Sequence, residues 1–229
     1  LSLGAALGNM GAYQGYAAVA YPQGQLLSWT TIEKGGVLVS ETGQRFGNED
    51  LGYSGFASHV MAQGAFAWAI YDARIHGVAL AEEEYAEMSA MGAVKWADTP
   101  GSLAEVVGLN PAGLEEAIED YNAATKGDRK DSFGRTAFAM APLQAPFAAV
   151  KVKPGLFHTQ GGLLVDNRAR VRKVSGGVVD NLFAGGGAAA GISGCDGALG
   201  YASGNGLITA LVLGRKAGMV AIEEIRAEA

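Results

Sequence analysis

One glycine-rich stretch, LFAGGGAAAG at residues 182–191, constrains the fold of this 229-residue chain more than any other segment. A strand pattern precedes it, and the letters from Gly185 onward follow the G-x-G-x-x-G/A spacing of a dinucleotide-binding turn. In such a turn an acidic residue about 20 positions further on ends a second strand and binds the ribose. Here no acidic residue occurs between Asp196 and Glu223, and a single helix pattern follows the glycines. A complete Rossmann NAD site is therefore the weakest interpretation of this stretch.

The composition excludes several classes of function. Hydrophobic residues make up 49% and charged residues 17% of the chain, which is enough apolar material for a sizeable core. A net charge of -6 argues against a nucleic-acid partner, because proteins that bind nucleic acids carry basic patches. No uninterrupted apolar run reaches the ~18 residues of a membrane span, and no basic-then-apolar signal segment opens the chain. We therefore expect no membrane span and a cytoplasmic location.

Disulfides and metal sites find no support in the sequence. Cys195 is the only cysteine, so no disulfide can form within the chain. His59, His76 and His158 lie far apart and follow no metal-ligand spacing. The sequence therefore predicts no metal site.

Local patterns predict a mixture of helices and strands. Residues 35–49 predict a hairpin, and Thr99 and Asn110 are the expected N-caps of two short helices. An apolar stripe predicts a final helix over residues 205–226. The remaining predictions are a helix end at 2–10, a loop-rich segment at 12–32, a helix at 54–64, and strands at 66–75, 147–152, 162–166, 169–174 and 177–185.

Four segments, taken in order, point to one enzyme family. GGVLVSETGQRFGNE (35–49) contains a G-x-R-F-x-N-E hairpin motif, and LFHTQGGLLVD (156–166) contains an H-T-x-G-G-L strand entry. GNGLITALVLGRKAG (204–218) is similar to a final flavin-facing helix, and residues 102–122 are similar to the middle of a capping domain. Together the segments resemble the FAD-dependent flavoproteins of the fumarate reductase and ketosteroid dehydrogenase type.

The resemblance implies a fold as well as a cofactor. The fold is α/β with an α+β cap: the C-terminal part of an FAD-binding Rossmann-like domain plus an inserted capping domain. Residues 1–30 and 153–229 would be later parts of the FAD domain, and residues 31–152 would form the cap. The first βαβ unit, with its own G-x-G-x-x-G, would then precede residue 1. We therefore expect the N-terminal half of the FAD domain as a partner of this chain.

The resemblance also implies contacts with FAD. At residues 204–207, free N–H groups and the positive end of the helix dipole would favour the negative charge that a flavin gains on reduction. Gly161 and Gly162 would let the backbone approach the edge of the ring. The stretch 182–191 is similar to the family's strand end beside the ribityl chain, although Gly187 replaces the usual acid. The expected FAD-binding residues are Thr159, Gly161, Gly162, Gly186, Gly187, Ser203, Gly204, Asn205, Gly206 and Leu207.

Three residues form the expected catalytic set, namely Tyr53, His158 and Tyr201. The resemblance gives His158 the role of a histidine that binds substrate in front of the flavin. Fumarate reductases carry an arginine where Tyr53 stands and a second one in the late glycine-rich loop, where residues 191–206 contain none. The two arginines that would bind the carboxylates of a dicarboxylate are thus absent, which argues against fumarate or succinate as the substrate. Tyrosines at these two places instead resemble those of ketosteroid dehydrogenases, whose reaction lies next to a carbonyl.

Other polar residues have structural interpretations. We expect Arg45, Asn48 and Glu49 to fix the hairpin against the FAD domain, and Arg135 to be structural. Asn205 departs from the steroid enzymes, which tend to carry glycine there.

Two hypotheses of different classes therefore remain. In the first, an FAD-dependent oxidoreductase moves a hydride between flavin N5 and a C–C bond of a small carbonyl or enone substrate. Tyr53 would move the proton, and His158 and Tyr201 would orient the carbonyl. In the second, the chain is a non-catalytic fragment or accessory domain that does not bind FAD alone. The substrate, the direction of the reaction and the electron acceptor stay open.

Overall fold

The computed structural model describes residues 3–199 and 201–228. The chain divides into two compact units, which we name the terminal unit (residues 1–14 and 156–229) and the central unit (residues 15–155). The two boundaries fall inside strands, β2 (Tyr13–Ala20) and β6 (Phe147–Thr159). The structure is a mixture of helices and strands, as the α/β and α+β fold class requires.

The central unit contains a five-stranded sheet. In this sheet β2 pairs with β6, β6 with β4 (Ala67–Asp72), and β4 with β3 (Val37–Val39), while β5 (Lys95–Ala97) also pairs with β6. The pairs that β4 forms with β3 and β6 are antiparallel, and so is the β5–β6 pair. All six residues of β4 are buried, so this strand lies in the core. Residues 15–30, which the family resemblance assigned to the FAD domain, belong to this unit.

Helices of the central unit begin and end at local signals. The helices are α1 (Thr30–Glu33), α2 (Gly52–Gly55), α3 (Ala57–Ala62), α4 (Ala73–Ala79), α5 (Glu83–Ala90), α6 (Pro100–Val107) and α7 (Pro111–Thr125), with a 3₁₀ turn at Glu49–Leu51. The side chain of Thr99 accepts a hydrogen bond from Ser102 N and caps α6, which ends at Gly108 with φ of 76°. Asn110 caps α7 by accepting from Gly113 N. Both predicted N-caps are therefore confirmed.

The terminal unit contains short strands and one long helix. Strand β1 (Leu7–Gly8) pairs antiparallel with β7 (Gly162–Leu163), and β8 (Arg170–Arg172) pairs antiparallel with β9 (Val178–Phe183). A 3₁₀ turn at Gly186–Ala188 follows β9, and α8 (Asn205–Glu228) ends the described chain. The buried core of the terminal unit is a small cluster of Val171, Val179, Ala184 and Ala189, against which Leu213 of α8 packs.

One face of α8 exposes apolar side chains. Leu207 is 81% exposed and Leu211 is 74% exposed. The other large apolar residues exposed on the helix are Ile208, Val212, Met219, Ile222 and Ile225. By length and composition, residues Asn205–Ala227 would suffice to cross a membrane. We expected no membrane span because Arg215 and Lys216 interrupt the apolar run. The mean hydropathy of the whole helix is nevertheless high enough, because it averages over this charged pair.

Three secondary-structure predictions are wrong. The described part of residues 2–10 contains β1 and turns rather than a helix. The segment 12–32 contains the eight-residue strand β2, because its small apolar side chains are buried in the sheet. The strand predicted over 66–75 ends at Asp72, whose side chain accepts from Arg74 N and Ile75 N and so starts α4.

Candidate functional site

A cavity of about 310 Å³ lies in the terminal unit. Three segments line it: the end of β6, the glycine-rich stretch after β9, and the first turn of α8. The residues predicted from sequence that it brings together are His158, Thr159, Gly186, Gly187, Asn205 and Gly206. The lining residues that the sequence did not single out are Gln160, Ala189, Gly191 and Thr209.

The side chains of Gln160 and Asn205 join two walls of this cavity. Asn205 Nδ2 donates to Gln160 Oε1 at 2.7 Å, and both residues are buried. The backbone of Gln160 is fixed as well, since its N–H donates to Ala12 O and its carbonyl accepts from Gly191 N, each at 2.8 Å. A Cβ at position 191 would overlap Gln160 Oε1, so only glycine leaves room for this side chain. The first turn of α8 is thus tied to the strand entry by buried side-chain amides.

His158 and Tyr201 meet beside the same turn. Their ring centroids lie 5.7 Å apart in an edge-to-face arrangement. His158 Nδ1 lies 2.9 Å from Thr159 O, so Nδ1 carries the donated proton and Nε2 of a neutral ring remains an acceptor. Nε2 faces the start of α8, because a Cβ built at Gly206 would lie 3.8 Å from it. Two of the three predicted catalytic residues are therefore brought together.

The remaining predicted FAD-binding residues lie in several places. A Cβ at Gly161 would contact Met10, and one at Gly162 would overlap the backbone at Ala189. These two glycines are required by packing within the terminal unit. Ser203 and Gly204 line a second, open depression together with Asn205, Ile192 and Ile208, and Leu207 points to the exposed face of α8.

Tyr53 belongs to the central unit and lies in an aromatic cluster. Its ring centroid is 5.2 Å from that of Tyr16 and 6.5 Å from that of Trp29. The Tyr16 hydroxyl donates to Leu27 O and accepts from Trp29 N, and burial raises its pKa well above the usual range. The neutral Tyr16 ring is therefore a fixed wall against which the half-buried Tyr53 ring packs.

The hairpin residues Arg45 and Glu49 form a buried ionic cluster in the central unit. Arg45 Nη2 lies 2.6 Å from Glu49 Oε2, and Arg45 Nη1 lies 2.5 Å from Asp131 Oδ2. Arg135 Nη1 lies 3.5 Å from Glu49 Oε2 and donates to Gly36 O. Asn48 caps the 3₁₀ turn by accepting from Asp50 N. These contacts anchor the hairpin to other parts of the central unit, and they account for Arg45, Glu49 and Arg135 without a catalytic role.

Comparison with known proteins places the chain in a family. A family model described as an FAD binding domain matches residues 1–206. The chain belongs to this FAD-binding domain family. FAD is therefore its cofactor, and the resemblance to flavoproteins of the fumarate reductase and ketosteroid dehydrogenase type is confirmed.

Individual relatives of this chain cover both enzyme types. It is 31% identical over 94% of its length to the probable fumarate reductase Ifc3 of Shewanella frigidimarina, of which it spans 36%. It matches 37% of a flavocytochrome c3 fumarate reductase structure in an open conformation, with 27% identity and a TM-score of 0.66. It also matches 42% of the 3-ketosteroid-Δ4-(5α)-dehydrogenase structure from Rhodococcus jostii RHA1 in complex with 4-androstene-3,17-dione, with 29% identity and a TM-score of 0.65. Both matches cover 94% of this chain.

The cavity walls fit part of a flavin cofactor. The first turn of α8 offers backbone N–H groups and the positive end of a long helix. Gly187 leaves open space, since a Cβ there would meet nothing within 4 Å. Gln160 Nε2 is enclosed by the protein and has no hydrogen-bond partner among the described residues. Within the described part of the chain, no group of three or more His, Cys, Asp or Glu residues could hold a metal ion.

Proposed function

We propose that this member of the FAD-binding domain family forms part of an oxidoreductase that acts on a C–C bond next to a carbonyl group. The contact between His158 and Tyr201 beside the flavin-type cavity is the observation that carries the proposal. The structural relative in complex with 4-androstene-3,17-dione supports a carbonyl substrate, because that ligand is a diketone. The absence of arginine from residues 191–206 speaks against a dicarboxylate.

The side chains of the terminal unit divide the work of orienting such a substrate. FAD, when bound, supplies the position that accepts or delivers the hydride. The Tyr201 hydroxyl can donate to the carbonyl oxygen of the substrate, which stabilises the negative charge that develops there. His158 Nε2 is an acceptor in the tautomer that the Thr159 contact selects, so it can bind a hydroxyl or a polarised C–H group of the substrate. Tyr53 stays the predicted carrier of the proton.

Turnover of the full-length enzyme tests these roles. Tyr53→Phe should lower kcat about 10²- to 10⁴-fold with FAD still bound, which is the usual contribution of a positioned acid or base. Tyr201→Phe should also lower kcat, because it removes a donor to the developing oxyanion. Tyr21→Phe is the matched control, since Tyr21 is exposed and packs on Phe66. Wild-type turnover of a cyclic enone or ketone by both Tyr53→Phe and Tyr201→Phe would contradict the proposal.

The exposed face of α8 favours the second hypothesis for the isolated chain. A helix with this much exposed apolar surface marks a contact with another protein segment. The chain spans only 36% of its first relative, and we infer that the preceding part of the FAD domain covers this face. The same contact would explain α8 without a membrane, so we keep a cytoplasmic location as a proposal.

A visible spectrum separates the two cases. The isolated chain should be folded but colourless after incubation with FAD and desalting, whereas the full-length protein should keep the ~450 nm band of bound flavin. Adding the separately produced N-terminal half should restore the band and protect α8 from proteolysis. Retention of FAD at the full-length level by the isolated chain would refute the inference about α8.

A further inference from the structure

Four ring side chains of the central unit form a row that leads from the surface into the core. Trp96 on β5 is 38% exposed, and His76 on α4 is half-buried. Tyr85 on α5 and Tyr71 on β4 are fully buried. The ring centroids of Trp96 and His76 lie 5.0 Å apart, those of His76 and Tyr85 5.6 Å, and those of Tyr85 and Tyr71 6.4 Å. We name these four residues the aromatic row.

The hydrogen bonds of the aromatic row run in one direction. The Tyr85 hydroxyl oxygen lies 2.8 Å from the Tyr71 hydroxyl oxygen and 2.7 Å from His76 Nδ1. In the described part of the chain the Tyr71 hydroxyl has no second partner, so a bond donated by Tyr85 would leave the Tyr71 proton buried without an acceptor. Tyr71 therefore donates to Tyr85, and Tyr85 donates to His76 Nδ1. Neutral His76 then carries its ring proton on Nε2.

The protonation states of His76 and Tyr85 suit a proton transfer between them. Burial lowers the pKa of His76, so the resting ring is neutral and accepts at Nδ1. Burial raises the pKa of Tyr85 to about 12, so the resting phenol keeps its proton. A phenol that loses an electron becomes a strong acid, and its oxidation is favoured where a base accepts the proton at once. His76 is a base already in contact with that proton.

Trp96 is the place where an oxidant in solution reaches the aromatic row. The other two tryptophans of the sequence, Trp29 and Trp68, are both buried. Indole and phenol rings lose a single electron more readily than most side chains. The contacts of His76 with Trp96 and with Tyr85 therefore connect an exposed, oxidisable indole to a buried, oxidisable phenol.

We propose that Tyr85 is a redox-active tyrosine that reduces oxidised Trp96. A small radical oxidant in solution takes one electron from the indole and becomes an anion, which leaves a Trp96 radical cation. One electron then moves from Tyr85 to Trp96, and the Tyr85 hydroxyl proton moves to His76 Nδ1. The products are neutral Trp96, a tyrosyl radical and an imidazolium ion, so the total charge is unchanged. The oxidising equivalent then lies on an enclosed phenol, to which molecules in solution cannot add.

Pulse radiolysis of the full-length protein, with azide radicals as the oxidant, measures this transfer. In the wild type, the absorption of the indolyl radical should decay while that of the tyrosyl radical rises, at a rate independent of protein concentration. This phase should be absent from Trp96→Phe, which loses the entry point, and from Tyr85→Phe, which loses the phenol. The variant His76→Gln keeps an acceptor for the Tyr85 hydroxyl but no base, so the phase should slow about tenfold or more.

Tyr71→Phe is the matched control, because it removes the other hydroxyl contact of Tyr85 and keeps the contact with His76. It should change the rate by less than about fivefold, as the loss of one neutral hydrogen bond would. Circular dichroism checks that each variant is folded, and Trp96→Phe alters only a partly exposed ring. Transfer at the wild-type rate in Trp96→Phe or in Tyr85→Phe would overturn the proposal. A wild-type rate in His76→Gln would overturn the role of His76 as proton acceptor.

Protection of Trp96 gives a second readout, which does not depend on the reaction proposed above. After steady exposure to the same radicals, mass spectrometry of the peptide that contains Trp96 should find more oxidised indole in Tyr85→Phe than in Tyr71→Phe. Equal oxidation of Trp96 in these two variants would show that the buried phenol does not protect the exposed indole.

Discussion

The charge balance of the buried cluster in the central unit makes a strong quantitative prediction. Two arginines, Arg45 and Arg135, share the carboxylates of Glu49 and Asp131, and each of these side chains is at most 3% exposed. Glu49 is the buried carboxylate that both guanidinium groups approach, and Asp50, whose side chain is 26% exposed, lies 3.7 Å from Arg135 Nε. The substitution Glu49→Gln keeps the shape and an acceptor for Leu38 N but removes the buried negative charge that Arg45 and Arg135 share.

The magnitude follows from the burial of the cluster. Removing one partner of a buried ion pair costs about 3–5 kcal/mol, because the remaining charge stays desolvated. A small unit unfolds in urea with a slope of about 1–3 kcal/mol per molar. With a slope of about 2, Glu49→Gln should lower the midpoint of urea unfolding by roughly 2 M. That loss is a large fraction of the ~5–15 kcal/mol that stabilise a typical domain.

Tryptophan fluorescence measures this transition selectively. The three tryptophans of the chain are Trp29, Trp68 and Trp96, and all lie in the central unit. Arg129→Gln is the matched control, because it breaks an ion pair with Asp120 whose side chains are 55% and 29% exposed. That exposed pair is worth at most about 1 kcal/mol. If Glu49→Gln shifts the midpoint no further than Arg129→Gln, the interpretation of a buried, mutually compensating cluster is wrong.

Three further predictions concern pH and packing. Burial raises the pKa of Asp131, but hydrogen bonds from Arg45 and from backbone N–H groups outweigh burial and lower this pKa overall. The stability that Asp131 contributes is therefore full above its unfolded pKa of ~3.9 and should be lost as pH falls through the lower folded value. The urea midpoint should fall over this pH range in the wild type and stay level in Asp131→Asn. Burial also lowers the pKa of His76, so the folded state prefers the neutral ring; unfolding midpoints should fall as pH drops below ~6.5, and His76→Gln should remove this step. Gly191→Ala should weaken FAD binding in the full-length protein and lower its thermal midpoint, because the added Cβ displaces Gln160; unchanged values for both would show that the loop adapts.

Local signals explain which elements were predictable from sequence. Helices α6 and α7 follow from Thr99 and Asn110, because an N-cap and a following proline act over a few residues. Strand β2 was missed, since its glycine and alanines become strand-like only when neighbouring strands bury them. Asp72 is a residue type that favours an N-cap, but the apolar run before it led us to extend the strand through residue 75 and miss the boundary between β4 and α4.

The candidate site shows the same division between local and long-range information. The family motif around His158 predicted one wall of the cavity, and the helix start at Asn205 predicted another. Gln160 was missed because its role depends on a partner 45 residues away, and no local pattern reports that distance. The available signal was a polar residue between His158–Thr159 and two glycines, in a segment otherwise suited to close packing.

The glycine-rich stretch at residues 182–191 shows why the spacing of a dinucleotide-binding turn does not by itself specify a phosphate site. Gly185 lets the chain approach α8, since a Cβ there would lie 3.0 Å from Leu213 Cβ. Gly187 borders the cavity with open space around it, and Gly191 makes room for the amide of Gln160. One glycine therefore serves helix packing, one serves the ligand space and one serves a buried hydrogen bond. A phosphate-binding turn would instead use its glycines together around one anion, at the start of a helix that follows at once. Here α8 begins only at Asn205, so the G-x-G-x-x-A spacing arises from separate packing demands within the terminal unit.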